Sequence, residues 1–169
     1  MIQIGEKLPN TTLYEFIEEA REGCTLGPNS FEVLAATAGK RVVIFGLPGA
    51  FTPTCSGKHV PGYVEHAETL RGLGVDEIWC VSVNDAFVMG AWGRDQHVGD
   101  NIRMMGDGSA DFTRAIGLEQ DSSARGMGIR SRRYAMIVED GTVKVLQVEA
   151  TGKFEVSTAE SMIAALKNG

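Results

Sequence analysis

The sequence predicts an α/β fold in which a central mixed sheet is flanked by helices, within one domain covering residues 1–169. Three observations predict it. Two β-branched apolar runs, "RVVIFGLPG" (41–49) and "VDEIWCVSVND" (75–85), are separated by about 25 residues of helical spacing, which reads as a parallel βαβ unit. A later stretch, "RRYAMIVEDGTVKVLQVE" (132–149), alternates apolar and polar residues on both sides of Asp140-Gly141, the signature of a tight antiparallel hairpin. The end of the chain, "STAESMIAALKNG", carries helix start and stop signals.

The elements follow in order. The first run is a buried strand that ends in turn residues, and Val60, Val64, Ala67 and Leu70 mark the crossover helix after it, with a bend expected at Pro61-Gly62. The second run is a strand covered on both faces. "DAFVMGAWGRDQHVG" (85–99) is a helix opened by Asp85, and a short strand in "NIRMMGD" and a small helix around "SADFTRAIG" come next. After the hairpin, Ser157 and Glu160 stand at capping-box spacing, and Met162, Ile163 and Leu166 share one face of the last helix. The order βαβα then ββα is that of a thioredoxin-like domain.

Composition narrows the function. The net charge is −6 with no basic block, which argues against nucleic acid as a partner. "MIQIGEKLPNTTLYEF" lacks the basic start and apolar run of a secretion signal, and no apolar segment approaches the roughly 20 residues that span a bilayer, so the expected location is cytoplasmic and not membrane-bound. The three cysteines, Cys24, Cys55 and Cys80, are widely spaced and form no Cys-x-x-Cys pair, so neither a disulfide framework nor a zinc site is expected. His66 and His97 have no ligand spacing either, and no metal or cofactor is implied.

The stretch "PGAFTPTCSGKHVPG" (48–62) holds the candidate chemistry. Thr52 reads as an N-cap and Pro53 as the first helical residue, which makes Cys55 the third. The N–H groups of Thr54 and Cys55 then lack helical acceptors and face the open start of the helix, where the helix dipole favours an anion. Cysteines so placed beside a cation titrate between about 3.5 and 7.5, against about 8.5 for a free thiol. Acidity alone gains little. Moving a thiol from about 8.5 to about 6 raises its thiolate fraction roughly 30-fold, and a Brønsted slope near 0.5 removes roughly 15–20-fold in nucleophilicity. The site must also hold an electrophile and stabilise its leaving oxygen, a task suited to Thr52 and to the loop amides of a rigid turn built on Pro48 and Gly49.

"PGAFTPTCS" followed by "KHVPGY", with Pro48, Thr52 and Cys55 as its core, resembles the active-site signature of the peroxiredoxins in their atypical type II subgroup. "VSVNDAFVMGAWG" and "RRYAMIVEDGTV" are similar to that subgroup too, so the resemblance spans nearly the whole chain. It implies a thiol-dependent peroxidase that reduces hydrogen peroxide and small alkyl hydroperoxides, with Cys55 oxidised to a sulfenic acid. It further implies that Thr52 hydrogen-bonds the peroxide, that Pro48 shields the sulfur, and that Arg133, in "RRYAM", steadies thiolate and oxygens. Thr54, Gly49 and His59 complete the candidate substrate-binding set. His59 has two readings, tuning the thiolate or packing, and packing is favoured. Arg132 is the alternative to Arg133, since neighbouring strand residues face opposite sides. The family also implies a homodimer, with Phe51 as a candidate contact.

A sulfenic acid needs a second thiol. Related two-cysteine chains carry it in the segment similar to "GKFEVSTAE", where Val156 stands here. Cys80, inside the buried run, and Cys24, in the loop-like "REGCTLG", are the resolving candidates within the chain. The preferred expectation is an external donor, glutathione with glutaredoxin, or thioredoxin. The rival readings are a redox sensor or relay that oxidises a partner protein, a cysteine hydrolase with His59 as base, and a Cys-x-x-Cys oxidoreductase, which is disfavoured because Thr52 occupies the first cysteine's place.

Overall fold

In the computed structural model, which describes residues 1–19 and 23–169, one sheet of seven strands runs in the order β2 (Gly27–Glu32), β1 (Thr12–Ile17), β5 (Arg103–Gly106), β4 (Glu77–Ser82), β3 (Arg41–Gly46), β8 (Tyr134–Glu139), β9 (Thr142–Val148). At its centre β4 runs parallel to β3 on one side and to β5 on the other. On the other side of β3 lies the antiparallel hairpin of β8 (Tyr134–Glu139) and β9 (Thr142–Val148). Asp140 and Gly141 take φ of 48° and 77°, the double left-handed turn that the Asp-Gly pair predicts.

Alternation along β3 divides the apolar residues between two layers. Val43, Phe45 and Leu47 enter the cluster that contains Cys55 and Cys80, whereas Val42 and Ile44 enter the cluster of Trp79, Met105 and Tyr134. The crossover between β3 and β4 is a π-helical turn (Cys55–His59), then α2 (Val60–Glu65) and α3 (Ala67–Gly72). Pro61-Gly62, where a bend is expected, lies within α2 without a break in the helical run. A proline at 61 cannot donate and would press on the carbonyl four residues back, and the helix answers by widening, with Val60 N–H reaching the Cys55 carbonyl five residues back. The axis breaks later, at His66, whose φ and ψ are −100° and 8°.

The remaining helices are α1 (Val33–Thr37), α4 (Ala86–Asp95), α5 (Asp111–Ala115) and α6 (Ala159–Asn168). Asp85 caps α4, its carboxylate accepting from Val88 N–H at 2.8 Å. The capping box expected from Ser157 and Glu160 is corrected by one residue. Thr158 caps α6 by accepting from Ser161 N–H at 3.1 Å, Ser157 is turned inward, and Glu160 pairs with His66 at 2.9 Å. Met162 is buried, while Ile163 and Leu166 are half-buried.

Not expected from the sequence are the hairpin of β1 (Thr12–Ile17) and β2 (Gly27–Glu32) and the short pair β6 (Glu119–Asp121) and β7 (Ile129–Ser131). In β1 the inward positions are Leu13, Glu15 and Ile17, and the charge at 15 conceals the period. Glu15 is tolerated there because Arg103 Nη2 meets its carboxylate at 2.9 Å while Arg103 Nη1 reaches Glu77 at 2.9 Å. Pro28 in β2 belongs to the sheet edge, where a missing N–H costs little.

Gly46 ends β3 under the ring of the fully buried Tyr134. A Cβ at 46 would lie 2.1 Å from Tyr134 Cε1, so Gly46→Ala is expected to destabilise the fold by about 2 kcal/mol and to lower the melting temperature by roughly 4–8 °C in a thermal scan. An unchanged melting temperature would show that the ring has room to move.

Candidate active site

The chain leaves β3 through Leu47 and Pro48 into a tight turn. Asn84, beyond the end of β4, pins this turn, its Oδ1 accepting from Ala50 N–H at 3.0 Å and from the Ser82 hydroxyl at 2.6 Å. Phe51 stands at φ 63°, a left-handed conformation that costs energy for an aromatic residue, with its side chain 54% exposed. A Cβ at Gly49 would come 2.9 Å from Arg130 Nη1, the movable end of a side chain drawn over the turn by its Nε bond to the Met127 carbonyl at 2.8 Å.

The helix begins where the sequence places it. Its first bond runs from Ser56 N–H to the Thr52 carbonyl at 2.9 Å, which leaves Thr54 and Cys55 N–H without helical acceptors. Thr52 differs in one respect. Its hydroxyl does not cap the helix but donates to the Gly49 carbonyl at 2.7 Å, so the proton is committed and the oxygen's lone pairs are left for an incoming donor.

Cys55 also departs from expectation. Its side chain is fully covered, in the apolar cluster with Phe45, Leu47, Val60 and Tyr63, where the sequence suggests an open helix start. Its polar contact is the guanidinium of Arg133, whose Nη2 donates to Sγ at 3.2 Å. Arg133 immediately precedes β8, 78 residues away along the chain, and its Nη1 lies 2.8 Å from His59 Nδ1. Arg132 turns the other way, towards the Glu149 carbonyl at 3.4 Å. Pro48 is half-buried at the mouth of the turn, and Thr54 is half-buried beside Cys55.

His59 is buried, and its two nitrogens have fixed roles. Nε2 faces the Ser157 carbonyl at 3.1 Å, which can only accept, so Nε2 carries the proton and Nδ1 accepts from Arg133. The ring packs against Phe45 at 4.8 Å and Phe154 at 5.0 Å. With both nitrogens engaged, its polar contacts go to Arg133 and to the Ser157 carbonyl. Burial, reinforced by the Arg133 charge and opposed by the bond to Ser157, lowers its pKa to about 3. A ring that holds no proton at Nδ1 until such acidity cannot act as the base of a cysteine hydrolase at neutral pH.

The same shift sets a pH dependence of stability. The unfolded ring takes its proton near 6.5 and the folded ring near 3, so within that window unfolding takes up a proton. The contribution of neutral His59 is complete above pH 6.5 and is lost as the pH falls towards 3, on the order of 5 kcal/mol in all. Urea unfolding at pH 7 and pH 4.5 is expected to show this loss, and His59→Gln to flatten it. An equal slope in the variant would assign the effect to other groups.

Cys80 lies within β4 at 0% exposure, opposite Phe45 of β3. Burial, with Cys55 nearby adding to the effect and Arg133 opposing it, raises its pKa well above that of a free thiol. Cys24 is half-exposed in the connection between β1 and β2, and the neighbouring Arg21 and Glu22 of the predicted loop lie outside the described residues. All three cysteines are free thiols. Trp92 donates from Nε1 to the Ser56 hydroxyl at 3.0 Å, one residue from Cys55.

No helix among the described residues is long and apolar enough to cross a membrane. The family model described as Redoxin matches residues 3–163. Among relatives, Peroxiredoxin-2E, chloroplastic, of Arabidopsis thaliana is 47% identical over 167 residues, covering 98% of this chain and 69% of its own. The crystal structure of reduced Prx3 from Vibrio vulnificus in complex with hydrogen peroxide is 51% identical, covers 98% of this chain and 99% of its own, and superposes with a TM-score of 0.91. A Burkholderia cenocepacia crystal structure, provisionally described as a thioredoxin reductase, is 71% identical over 97% of each chain with a TM-score of 0.96.

Proposed function

The chain belongs to the Redoxin family as a peroxiredoxin, a thiol-dependent peroxidase, and we propose that Cys55 is the sulfur that its peroxide oxidises. The observation that carries this reading is the 3.2 Å contact of Arg133 Nη2 with Cys55 Sγ in a helical first turn with two unspent N–H groups. The Vibrio relative was solved with hydrogen peroxide, and the same small substrate suits this covered sulfur.

In the proposed cycle the Cys55 thiolate attacks the terminal oxygen of the hydroperoxide. The S–O bond forms as the O–O bond breaks, the sulfur loses two electrons, and the leaving oxygen departs as alcohol or water once it gains a proton. The Thr52 oxygen accepts from the peroxide O–H. Arg133, held through Nη1, stabilises charge on sulfur and oxygens through Nη2, and the Thr54 and Cys55 N–H groups lie beside the same space. Pro48 and Gly49 bound it.

We assign resolution to an external thiol. It attacks the sulfenic sulfur and releases water, and a second thiol reduces the mixed disulfide to restore Cys55. Glutathione with glutaredoxin, or thioredoxin, fits this role. Cys80 does not, because it stays protonated inside the sheet. A dithiol reductase is disfavoured for the reason read from the sequence, Thr52 standing where a paired cysteine would. Three free thiols suit a reducing compartment, the cytoplasm in our reading, and exposed Phe51 is the contact we propose for a pair of chains. The doubly substituted Cys24→Ser, Cys80→Ser protein is expected to keep peroxide turnover with glutathione and glutaredoxin within about twofold. Loss of turnover in it would put the resolving thiol inside the chain.

A further inference from the structure

Arg133 is held from two directions, and both lead to Glu149. At the main chain, the Arg133 carbonyl accepts from Glu149 N–H at 2.9 Å. At the side chain, the guanidinium meets His59, His59 meets the Ser157 carbonyl, and Ser157 hangs from the Glu149 carboxylate by its N–H at 2.8 Å and its hydroxyl at 2.7 Å. The path is a closed ring, with Cys55 attached to its edge at Arg133 Nη2.

Glu149 is 4% exposed and pairs with no cation among the described residues. A carboxylate so placed is costly unless donors surround it. Here they come from one segment: Glu155 N–H and Val156 N–H, each at 2.8 Å, join the two Ser157 donors. Burial pushes the carboxyl up, but donation from the Ser157 hydroxyl and the three N–H groups outweighs it and holds it below the usual carboxylate range. The segment folded around this charge touches the site at three points. The Ser157 carbonyl receives both His59 and, at 2.9 Å, the Tyr63 hydroxyl. Phe154 stands edge-on to His59, and the Arg133 guanidinium lies 5.7 Å from its ring centre.

We infer that Glu149 is a positioning residue for the peroxidase reaction: by shaping residues 154–157 it fixes His59, and through His59 the direction in which Arg133 points at Cys55. The inference rests on the roles proposed above for Cys55 and Arg133. Displacements of about 1 Å in such a constellation cost on the order of 10²-fold in rate.

The test uses the full chain with Cys24→Ser, and measures the rate of Cys55 with hydrogen peroxide and with iodoacetamide, which needs the sulfur but no held O–O bond. Glu149→Gln, which sets an amide donor against the segment's N–H groups, is expected to lower the peroxide-to-iodoacetamide ratio by roughly 10- to 100-fold. Ser157→Ala, which removes one donor and keeps the carbonyl, lowers it less. In a His59→Gln background Glu149→Gln adds little, because both act on one chain of contacts. An unchanged ratio in Glu149→Gln overturns the inference, as do independent, multiplying effects of the two substitutions. Should Glu149→Gln fail to fold, an unchanged ratio in Ser157→Ala overturns it. A parent protein that iodoacetamide alkylates at Cys55 but peroxide does not oxidise would instead refute the role of Cys55 itself.

Discussion

Arg133→Met is expected to slow the reaction of the protein with hydrogen peroxide by about 10²–10³-fold, the usual cost of deleting one donor that stabilises charge in a transition state. Methionine retains much of the apolar stem, so packing against Phe154 survives, but both guanidinium contacts vanish. His59 Nδ1 is then a buried acceptor without a partner, a loss of roughly 1–3 kcal/mol in stability on top of the kinetic defect. Arg133→Lys separates the two effects. It keeps a positive charge but cannot reach His59 and the sulfur from one rigid fork, so its rate is expected between those of the parent and Arg133→Met. Stopped-flow emission of Trp92 follows the reaction, since its indole is bonded to Ser56 beside Cys55. An Arg133→Met rate within a few-fold of the parent would remove the guanidinium from the mechanism.

The parts of this site that could be read from the sequence are those encoded over a few residues. Thr52, Pro53 and Cys55 announce a helix start, and the first helical bond begins there. The runs at 41–49 and 75–85 read as buried strands because their middles, residues 42–45 and 78–81, are apolar without a break, and Asp140-Gly141 demands its turn. What escaped depends on partners far apart in the chain. Glu15 reads as an outward residue until Arg103, 88 positions on, is placed against it. His59 reads as packing because its two partners, Ser157 and Arg133, lie 98 and 74 residues away. Ser157 fits a capping box equally well by spacing, and only the carboxylate of Glu149 draws it inward and leaves the cap to Thr158. Arg133 was separable from Arg132 by family resemblance, and the start of β8 at Tyr134 sends the two side chains apart.

Cys55→Ser is expected to abolish peroxide turnover, by at least about 10⁴-fold, because a neutral hydroxyl cannot replace a nucleophile that forms the covalent intermediate. The variant should fold. Serine is nearly isosteric, and Arg133 Nη2 can donate to its oxygen as it does to Sγ. Cys24 and Cys80 remain in this variant and offer no substitute, the first lying between β1 and β2 and the second sealed in the sheet.

One equivalent of hydrogen peroxide added to the reduced parent protein in the presence of dimedone, followed by peptide mass spectrometry, asks where the oxygen lands. A single adduct on Cys55 is expected, absent from Cys55→Ser and much slower to form in Arg133→Met. An adduct on Cys24 or Cys80, or equal labelling in the Arg133 variant, would contradict it.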